Sequence, residues 1–500
     1  MQHKKYILAI DQGTSSTKTI LFDEEGKPFA RGSEALKSDF LDRGFVEQDP
    51  EEIFKNVLDA IAKCLEDFKT KGGDLNEINS CGISNQRETF VVWDNEGKPL
   101  HNAVVWQCKR SVQICERLKA GGLEMEIKRK TGLLIDPYFS GTKLIWLNEN
   151  IDLVHHAILD GKAYFGTIDT WLLYKFTNGK EYATDYTNAS RTLFFNLQTL
   201  DWDKELLEKF GLHRINLPQI KPSSSFFGKT TLKGLFKDPI SINALIGDSH
   251  AAAFGEGCFE PGSAKATLGT GCSILMNVGN KPASSNNGMI STICWSTEQE
   301  INYALEGVIV SCGATIEWLK NELALFTNSK ETEGMANAVA DNGGVYLIPA
   351  FSGLGSPYWQ MERRASLSGM SFGTTKNHIV RAALESIAYQ IMDVITAMEV
   401  DAALSLKELN ADGGITSNRF VIQFIANLLN KNVATIGMPD VSALGAALLA
   451  GLKVGVYESM DALKKIKSDK NYYRPYGNND AMKSYRGWQK EIQQHLLRLK

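Results

Sequence analysis

Residues 6–22 read YILAIDQGTSSTKTILF, which is an apolar run, a polar turn and a second apolar run. Apolar runs of this length on either side of a glycine-containing turn predict two strands joined as a β-hairpin. The turn carries an acid at Asp11, a glycine at Gly13 and three hydroxyl side chains at residues 14–16. Backbone N–H groups and hydroxyls in such a turn can hold a phosphate. A plain hairpin turn explains the same pattern, and taken alone it is the better explanation.

A second unit of the same kind lies near the middle of the chain. Residues 264–278 read AKATLGTGCSILMNV, again a strand, a polar turn and a strand. A third turn, at Gly413 and Gly414, precedes a predicted helix whose N-terminus could approach a nucleotide. Three such turns in one chain favour phosphate binding. The repeat predicts two domains of similar construction, at residues 1–253 and 254–500.

The rest of the chain alternates predicted strands and helices, which is typical of an α/β protein. Residues 50–65 have helical periodicity. Residues 443–451 are rich in Ala and Gly and predict a buried, closely packed helix, and residues 479–499 predict an amphipathic helix that covers a surface. Residues 221–236 are rich in Ser, Gly and Lys and predict an exposed loop.

Composition excludes several classes of protein. The chain has 500 residues, of which 43% are hydrophobic and 22% charged, with a net charge of −4. These values are typical of a globular protein of several domains. Without a basic run, a nucleic-acid or anionic-membrane partner is not expected. Eight cysteines without a C-x-x-C pair, and no secretory or membrane-spanning run, predict free thiols in a reducing cytoplasm.

Several side chains could carry chemistry, although each has a structural explanation. Asp248 follows an apolar strand and begins a run of small residues, so it could be a general base or a helix cap, and the local sequence favours the cap. Arg87 and Glu88 lie between apolar runs and would suit neighbouring hydroxyls, or a surface turn. Trp106 and His250 are of residue types that are more often structural. The chain has no Walker A phosphate loop.

Six longer motifs occur in order along the chain. They are DQGTSS at 11–16, NQRET at 85–89, NAVVWQC at 102–108, TGLLIDPYFSGTK at 131–143, DYTNASRT at 185–192 and PAFSGLGSPYW at 349–359. Through them the chain resembles the FGGY carbohydrate kinases from about residue 5 to about residue 488. The resemblance implies an actin-like ATPase fold, in which two ribonuclease-H-like domains surround a central cleft.

The resemblance also implies a set of site residues, with MgATP as phosphoryl donor. The residues implied for ATP are Thr14, Ser15, Ser16, Lys18, Thr270, Gly313, Glu317, Gly414 and Asn418. Asp11 is implied to hold Mg²⁺ through water, and Asp248 is implied to be the catalytic base in place of a cap. The polyol-binding set is Arg87, Glu88, Tyr138 and Asp248, with Trp106 as an apolar wall. Two positions depart from the family: Lys18 is usually Arg, and Glu317 is commonly Gln.

The implied reaction is ATP-dependent phosphorylation of a terminal hydroxyl of glycerol, giving glycerol 3-phosphate. In the polyol pocket, however, Ser249 and Ser273 stand where glycerol-phosphorylating members usually have Gln and Phe. Two small hydroxyls predict a larger, wetter pocket and weaken apolar contact with glycerol by about 1–3 kcal/mol. The alternative is therefore a kinase for a four- to six-carbon alditol or cyclitol, with His250 touching a distal hydroxyl.

A non-catalytic ATP- or sugar-binding regulator on the same fold is a further alternative. Retention of the implied base Asp248 speaks against it, because a sensor needs no base. Homodimers and homotetramers are common in the family, and the sequence leaves the oligomeric state open.

Overall fold

The computed structural model describes residues 5–466, 470–477 and 479–497, and strands and helices alternate along them. The strands are β1 (Tyr6–Gln12), β2 (Ser16–Phe22), β3 (Pro28–Ala35), β4 (Asp39–Leu41), β5 (Phe45–Gln48), β6 (Ile78–Asn85), β7 (Phe90–Trp93), β8 (Ala103–Val104), β9 (Tyr164–Thr167), β10 (Ala183–Asp185), β11 (Phe195–Asn196), β12 (Asp201–Trp202), β13 (Gln219–Lys221), β14 (Ser224–Thr230), β15 (Ile240–Gly247), β16 (Ser263–Leu268), β17 (Cys272–Gly279), β18 (Ile290–Ser296), β19 (Ile301–Ile309), β20 (Tyr346–Ile348), β21 (Ser366–Ser368), β22 (Glu408–Asp412), β23 (Val433–Ile436) and β24 (Lys470–Tyr473). The helices are α1 (Pro50–Thr70), α2 (Val112–Ala120), α3 (Glu124–Thr131), α4 (Ser140–Asn150), α5 (Asp152–Leu159), α6 (Ile168–Phe176), α7 (Tyr186–Ala189), α8 (Lys204–Lys209), α9 (Asp248–Gly255), α10 (Gly313–Asn321), α11 (Glu331–Asn337), α12 (Lys376–Ala402), α13 (Arg419–Leu429), α14 (Val441–Lys453), α15 (Met460–Leu463) and α16 (Asn479–Leu497).

The first large sheet contains the predicted hairpin. Strands β1 and β2 pair antiparallel, with Asp11 opposite Lys18. The sheet has six strands in the order β14-β15-β6-β1-β2-β3, in which β6 runs parallel to both β1 and β15. Because the carboxyl ends of parallel strands meet at one edge, polar residues at the ends of these three strands come together there. Asp11, Arg87 and Asp248 are those residues.

The second large sheet repeats this construction. Its order is β18-β19-β17-β16-β22-β23-β24. Strands β16 and β17 form the second predicted hairpin, with Leu268 opposite Cys272. As β1 does with β6, β16 pairs in parallel with β22, and β23 lies parallel beyond it. Two sheets of this pattern, with helices packed on them, confirm the predicted α/β, actin-like architecture.

Helices α9 and α14 pack closely where the two halves of the chain meet. Helix α14 contains the predicted run of small residues, and Ala443 to Gly451 are buried. A Cβ atom at Gly445 would lie 1.9 Å from the carbonyl oxygen of Ala251 on α9, so only glycine fits there. The small residues thus let two helix backbones approach. The predicted domain boundary, at residues 253–254, lies within α9 and remains a prediction.

The prediction of an exposed loop at residues 221–236 is wrong. The segment contains β14, an edge strand paired with β15, and Phe227 is in the core. Two of its buried serines have partners for their hydroxyls: Ser223 donates to Asp185 over 2.7 Å, and Ser224 donates to the Leu449 carbonyl over 2.9 Å. Such long-range partners cannot be read from local composition.

The last helix, α16, carries Tyr485, Trp488 and Ile492 into the core of the second half. It was predicted at residues 479–499, and the final two of these lie outside the described residues. Across the part of the chain that the structure describes, no helix combines the length and apolar character needed to cross a bilayer.

Candidate active site

A cleft of about 1220 Å³ lies between the two large sheets, and residues from both halves of the chain line it. Of the residues predicted for the site, the cleft is lined by Asp11, Lys18, Arg87, Asp248, Ser249, Ser273 and Gly414. These residues are separated by up to about 400 positions in sequence and come together only through the fold. The predicted acidic, basic and hydroxyl side chains of the site therefore lie together in the cleft.

Asp248 is the first residue of α9, directly after β15. Gly247 occupies the N-cap position, so Asp248 is not the N-cap residue that the local sequence favoured. Its Oδ1 instead accepts from the backbone N–H of Ser249 over 2.6 Å and lies 3.2 Å from Nε of Arg87. The side chain is 39% exposed and faces the cleft. A carboxylate held in this way can accept a proton from a bound hydroxyl.

Arg87 lies on the short connection from β6 to β7 and is buried except for the part that faces the cleft. Besides Asp248, it contacts Glu306 of β19, with 2.9 Å between Nη1 and Oε1. Arg87 is also among the residues that line the cleft. Glu88, the next residue, adopts a left-handed backbone with φ of 61°. Non-glycine residues held in this region often occur at functional sites.

Two further charged residues complete this cluster, and the sequence analysis did not assign either to the site. Arg191 donates from Nε to Glu88 over 2.5 Å. Its Nη1 also lies 2.6 Å from Oε2 of Glu306, an ion contact without hydrogen-bond geometry. Burial alone would raise the pKa of Glu306, but Arg191 and Arg87 hold it well below its usual range. Glu306 is the only charged residue in the largely apolar strand β19, and this was the signal that could have found it.

Trp106, predicted as an apolar wall, and Tyr138, predicted to bind the polyol, pack together beside this cluster. Their ring centroids are 5.6 Å apart in an edge-to-face arrangement, and the Arg191 guanidinium lies 5.8 Å from the Tyr138 ring. Trp106 Nε1 donates to Oγ1 of Thr14 over 2.9 Å, which joins the wall to the first polar turn. Both aromatic residues are partly buried, and neither is among the residues that line the cleft.

The two pocket serines lie together. Ser249 and Ser273 have hydroxyl oxygens 3.5 Å apart, and Ser273 donates to Oε1 of Glu306 over 3.1 Å. His250 differs from the expectation that it touches substrate. It is fully buried behind the cleft, neither ring nitrogen has a partner among the described residues, and burial lowers its pKa well below the usual range.

The predicted phosphate turns have different surroundings. In the first turn, the Gly13 N–H donates to the Ser16 carbonyl, and Thr14 Oγ1 is already engaged by Trp106 and Gln86. Lys18, opposite Asp11, reaches Asp440 before α14 over 3.2 Å. Lys18 thus links the first turn to the second half of the chain at the cleft.

The second turn packs against the start of α10. The Gly313 N–H donates to the Gly269 carbonyl, and the Thr270 carbonyl accepts from Cys312. Neither Thr270 nor Gly313 lines the cleft. Gly313 nevertheless has a reason to be glycine, because a Cβ atom there would lie 2.7 Å from the Gly269 oxygen.

Two of the predicted nucleotide contacts are occupied by other partners. Asn418 is the N-cap of α13, where its Oδ1 accepts from Val421 and its Nδ2 donates to Thr332. Glu317 is half exposed on α10 and pairs with Lys320, which lowers its pKa. Neither side chain lines the cleft, whereas Gly414, Thr416 and Ser417 do. The backbone turn before α13 is thus nearer to the cleft than the Asn418 side chain.

Asp11 has the environment of a carboxylate that a cation would stabilise. Burial and the nearby Asp248 raise the pKa of Asp11 to about 6, although Ser84 donates to it over 2.9 Å. Asp412, also in the cleft, has an Oδ1 atom without a partner among the described residues. Within that same part of the chain, no three His, Cys, Asp or Glu side chains are grouped as a complete metal site. Magnesium commonly takes one or two carboxylates, waters and substrate phosphates, so these residues fit it.

Two family models match most of this chain. The model of the N-terminal domain of the FGGY family of carbohydrate kinases matches residues 6–255, and that of the C-terminal domain matches residues 264–454. The chain therefore belongs to the FGGY family of carbohydrate kinases, as the motifs had indicated.

Within this family, the chain is similar to several glycerol kinases. The chain is 45% identical over 491 residues to a glycerol kinase of Carboxydothermus hydrogenoformans, covering 98% of both chains. It is 46% identical over 493 residues to a glycerol kinase of Shewanella woodyi, covering 98% of this chain and 99% of the relative. The structure of Plasmodium falciparum glycerol kinase with ADP superposes with a TM-score of 0.93 at 35% identity, covering 99% of each chain. The chain is thus similar to glycerol kinases over its whole length.

Proposed function

We propose that this chain transfers the terminal phosphoryl group of ATP to a terminal hydroxyl of glycerol, giving glycerol 3-phosphate. The observation that carries the proposal is the position of the Asp248 carboxylate, which faces the cleft 3.2 Å from Arg87 Nε. A base beside a hydroxyl-binding cation is the arrangement that phosphoryl transfer to an alcohol requires. The names of the relatives that are 45–46% identical over the full length support glycerol as the acceptor.

In the proposed mechanism, Asp248 accepts the proton of the hydroxyl whose oxygen attacks the terminal phosphorus in line. The guanidinium of Arg87 and the carboxylate of Glu88 bind neighbouring hydroxyls and orient the polyol. Trp106 and Tyr138 cover its carbon atoms. The protein performs little covalent chemistry in such a reaction, and its main contributions are alignment and neutralisation of charge.

On the ATP side, Lys18 and the polar turn at residues 13–16 offer positive charge and hydrogen-bond donors to the phosphates. Ser15 and Ser16 contribute hydroxyls, while the hydroxyl of Thr14 is committed to Trp106 and Gln86. Asp11 would hold Mg²⁺ through water, and the ion, when bound, would neutralise charge on the phosphates. Closure of the two halves around the cleft would exclude water and prevent idle hydrolysis.

One observation favours a second candidate substrate. Ser249 and Ser273 both line the cleft, and their hydroxyls offer room and polarity where an apolar wall would suit glycerol. A four- to six-carbon polyol would place an additional hydroxyl there. This candidate is a kinase with the same mechanism, and it differs only in the polyol that accepts the phosphoryl group.

The test is release of ADP by the purified chain with MgATP and a panel of glycerol, erythritol, xylitol, sorbitol and inositol. The proposal expects glycerol to give the highest kcat/KM and mass spectrometry to detect glycerol 3-phosphate. A larger polyol with a higher kcat/KM would replace glycerol as the substrate. ADP release that no polyol stimulates would contradict the kinase proposal and favour the non-catalytic regulator.

A further inference from the structure

Lys143, in the first turn of α4, is an unusual lysine because it is fully buried. Among the described residues it has no carboxylate partner within ion-pair distance. Its Nζ instead donates to three backbone carbonyls, at 2.6 Å from Tyr138, 2.9 Å from Pro137 and 3.3 Å from Trp106. Burying an ammonium group without an opposite charge is costly, and a leucine or methionine would fill the same space. The three hydrogen bonds to carbonyls indicate that the ammonium group of Lys143 has a structural role.

The carbonyls belong to two separate segments that carry the aromatic wall. Trp106 follows β8, whereas Pro137 and Tyr138 lie in the loop before α4. The two rings meet edge to face, and the Trp106 ring is also tied to Thr14 of the polar turn. Backbone hydrogen bonds from one ammonium group to both segments fix the distance between the rings.

The same helix also holds the backbone of Glu88. Ser140, the first residue of α4, donates from Oγ to the Glu88 carbonyl over 2.7 Å. Glu88 has the left-handed backbone conformation described above, which is strained for a residue with a side chain. The start of α4 therefore contacts the three polyol-binding positions Glu88, Trp106 and Tyr138.

We propose that Lys143 is a positioning residue that clamps the Trp106 and Tyr138 segments together and thereby sets the affinity for the polyol. The inference rests on the proposed function, because it assumes that these two rings contact the acceptor. Lys143 does not line the cleft and acts only through the residues that it holds.

If Lys143 is such a clamp, the affinity for the polyol should depend on pH, because the amine can lose a proton. Burial lowers the pKa of Lys143 to about 8, although four surrounding groups favour its charged form. These groups are Glu88 after β6, Cys108 after β8, Asp136 in the loop before α4 and Cys115 on α2. An ammonium group donates three hydrogen bonds and a neutral amine donates two. Above about pH 8, one of the three carbonyls therefore loses its partner and the clamp loosens.

The experiment compares the full chain with Lys143→Met, in which the new side chain has similar length and no donor. We expect the KM for glycerol to rise at least tenfold at pH 7, while the KM for ATP stays within twofold. In the unsubstituted chain, the KM for glycerol should rise severalfold between pH 7 and pH 9.5. In Lys143→Met it should be high and independent of pH.

Lys130→Met is the matched control, because Lys130 is also buried but pairs with Asp203 and Glu205 away from the cleft. It should leave the KM for glycerol and its pH profile unchanged. If Lys143→Met does not fold, the pH profile of the unsubstituted chain decides. A KM for glycerol that is constant from pH 7 to pH 9.5, or unchanged in Lys143→Met, overturns the clamp alone. An unsubstituted chain that does not turn over glycerol would instead overturn the proposed function.

Discussion

Replacing Glu306 with Gln should weaken both the fold and the binding of the polyol. The carboxylate is fully buried. It forms ion pairs with Arg87 and Arg191 and accepts a hydrogen bond from the Ser273 hydroxyl. A glutamine keeps the shape but removes the negative charge that balances two buried guanidinium groups. Removing one partner of a buried ionic cluster costs about 3–5 kcal/mol of stability. Because Arg87 loses its anchor, its charged hydrogen bond to the polyol, about 1.5–3 kcal/mol, should also weaken.

The assay combines thermal unfolding with steady-state kinetics at a temperature where the variant is folded. We expect a lower melting temperature, a nearly unchanged KM for ATP, and a raised KM for glycerol, with about 10- to 150-fold as the limit if that hydrogen bond is lost completely. Glu385→Gln is the matched control, since Glu385 is equally buried and pairs with Arg381, but its partners do not line the cleft, whereas Arg87 and Ser273 do. It should lower stability without changing the KM for glycerol. If Glu306→Gln had both a normal melting temperature and a normal KM, the cluster would not organise the site.

Two other predictions concern pH and the pocket serines. Burial and the nearby Asp185 raise the pKa of Asp169 to about 7. Because the folded chain then binds this proton more tightly than the unfolded chain, ionisation of Asp169 opposes folding. The stability that is present below about pH 4 is therefore lost as the pH rises through 7. Asp169→Asn should therefore raise the free energy of unfolding at pH 8 by up to about 4 kcal/mol relative to the unsubstituted chain, but not at pH 4.5; equal differences at the two pH values would refute this. Ser273→Phe should raise kcat/KM for glycerol by about 5- to 100-fold and lower it for larger polyols. Ser273→Ala separates the new ring from the lost bond to Glu306, and no gain for glycerol in Ser273→Phe would contradict the pocket argument.

The sequence predicted those elements that local patterns determine. The hairpins at residues 6–22 and 264–278 and the buried helix α14 follow from runs of apolar residues, polar turns and small side chains. The loop predicted at residues 221–236 was wrong because Ser223 and Ser224 find partners at Asp185 and Leu449, far away in the chain. Local composition could not reveal that the serines of β14 are buried.

The candidate site could be predicted only in part for the same reason. The family resemblance implied Arg87 and Asp248, which the fold brings within 3.2 Å of each other. Glu306 was missed because it lies 219 positions after Arg87, its hydrogen-bond partner. His250 was expected to face the substrate, but its ring is enclosed behind the cleft, and a single position in a helix does not reveal which side it faces.

The most direct test of the account is Asp248→Asn, which replaces the carboxylate with an amide of nearly the same shape. The amide oxygen can still accept the Ser249 N–H, so the fold and the affinity for ATP should be retained. With the base removed, kcat for glycerol phosphorylation should fall about 10²- to 10⁴-fold. A folded Asp248→Asn variant with a near-normal kcat would contradict the assignment of Asp248 as the group that deprotonates the alcohol.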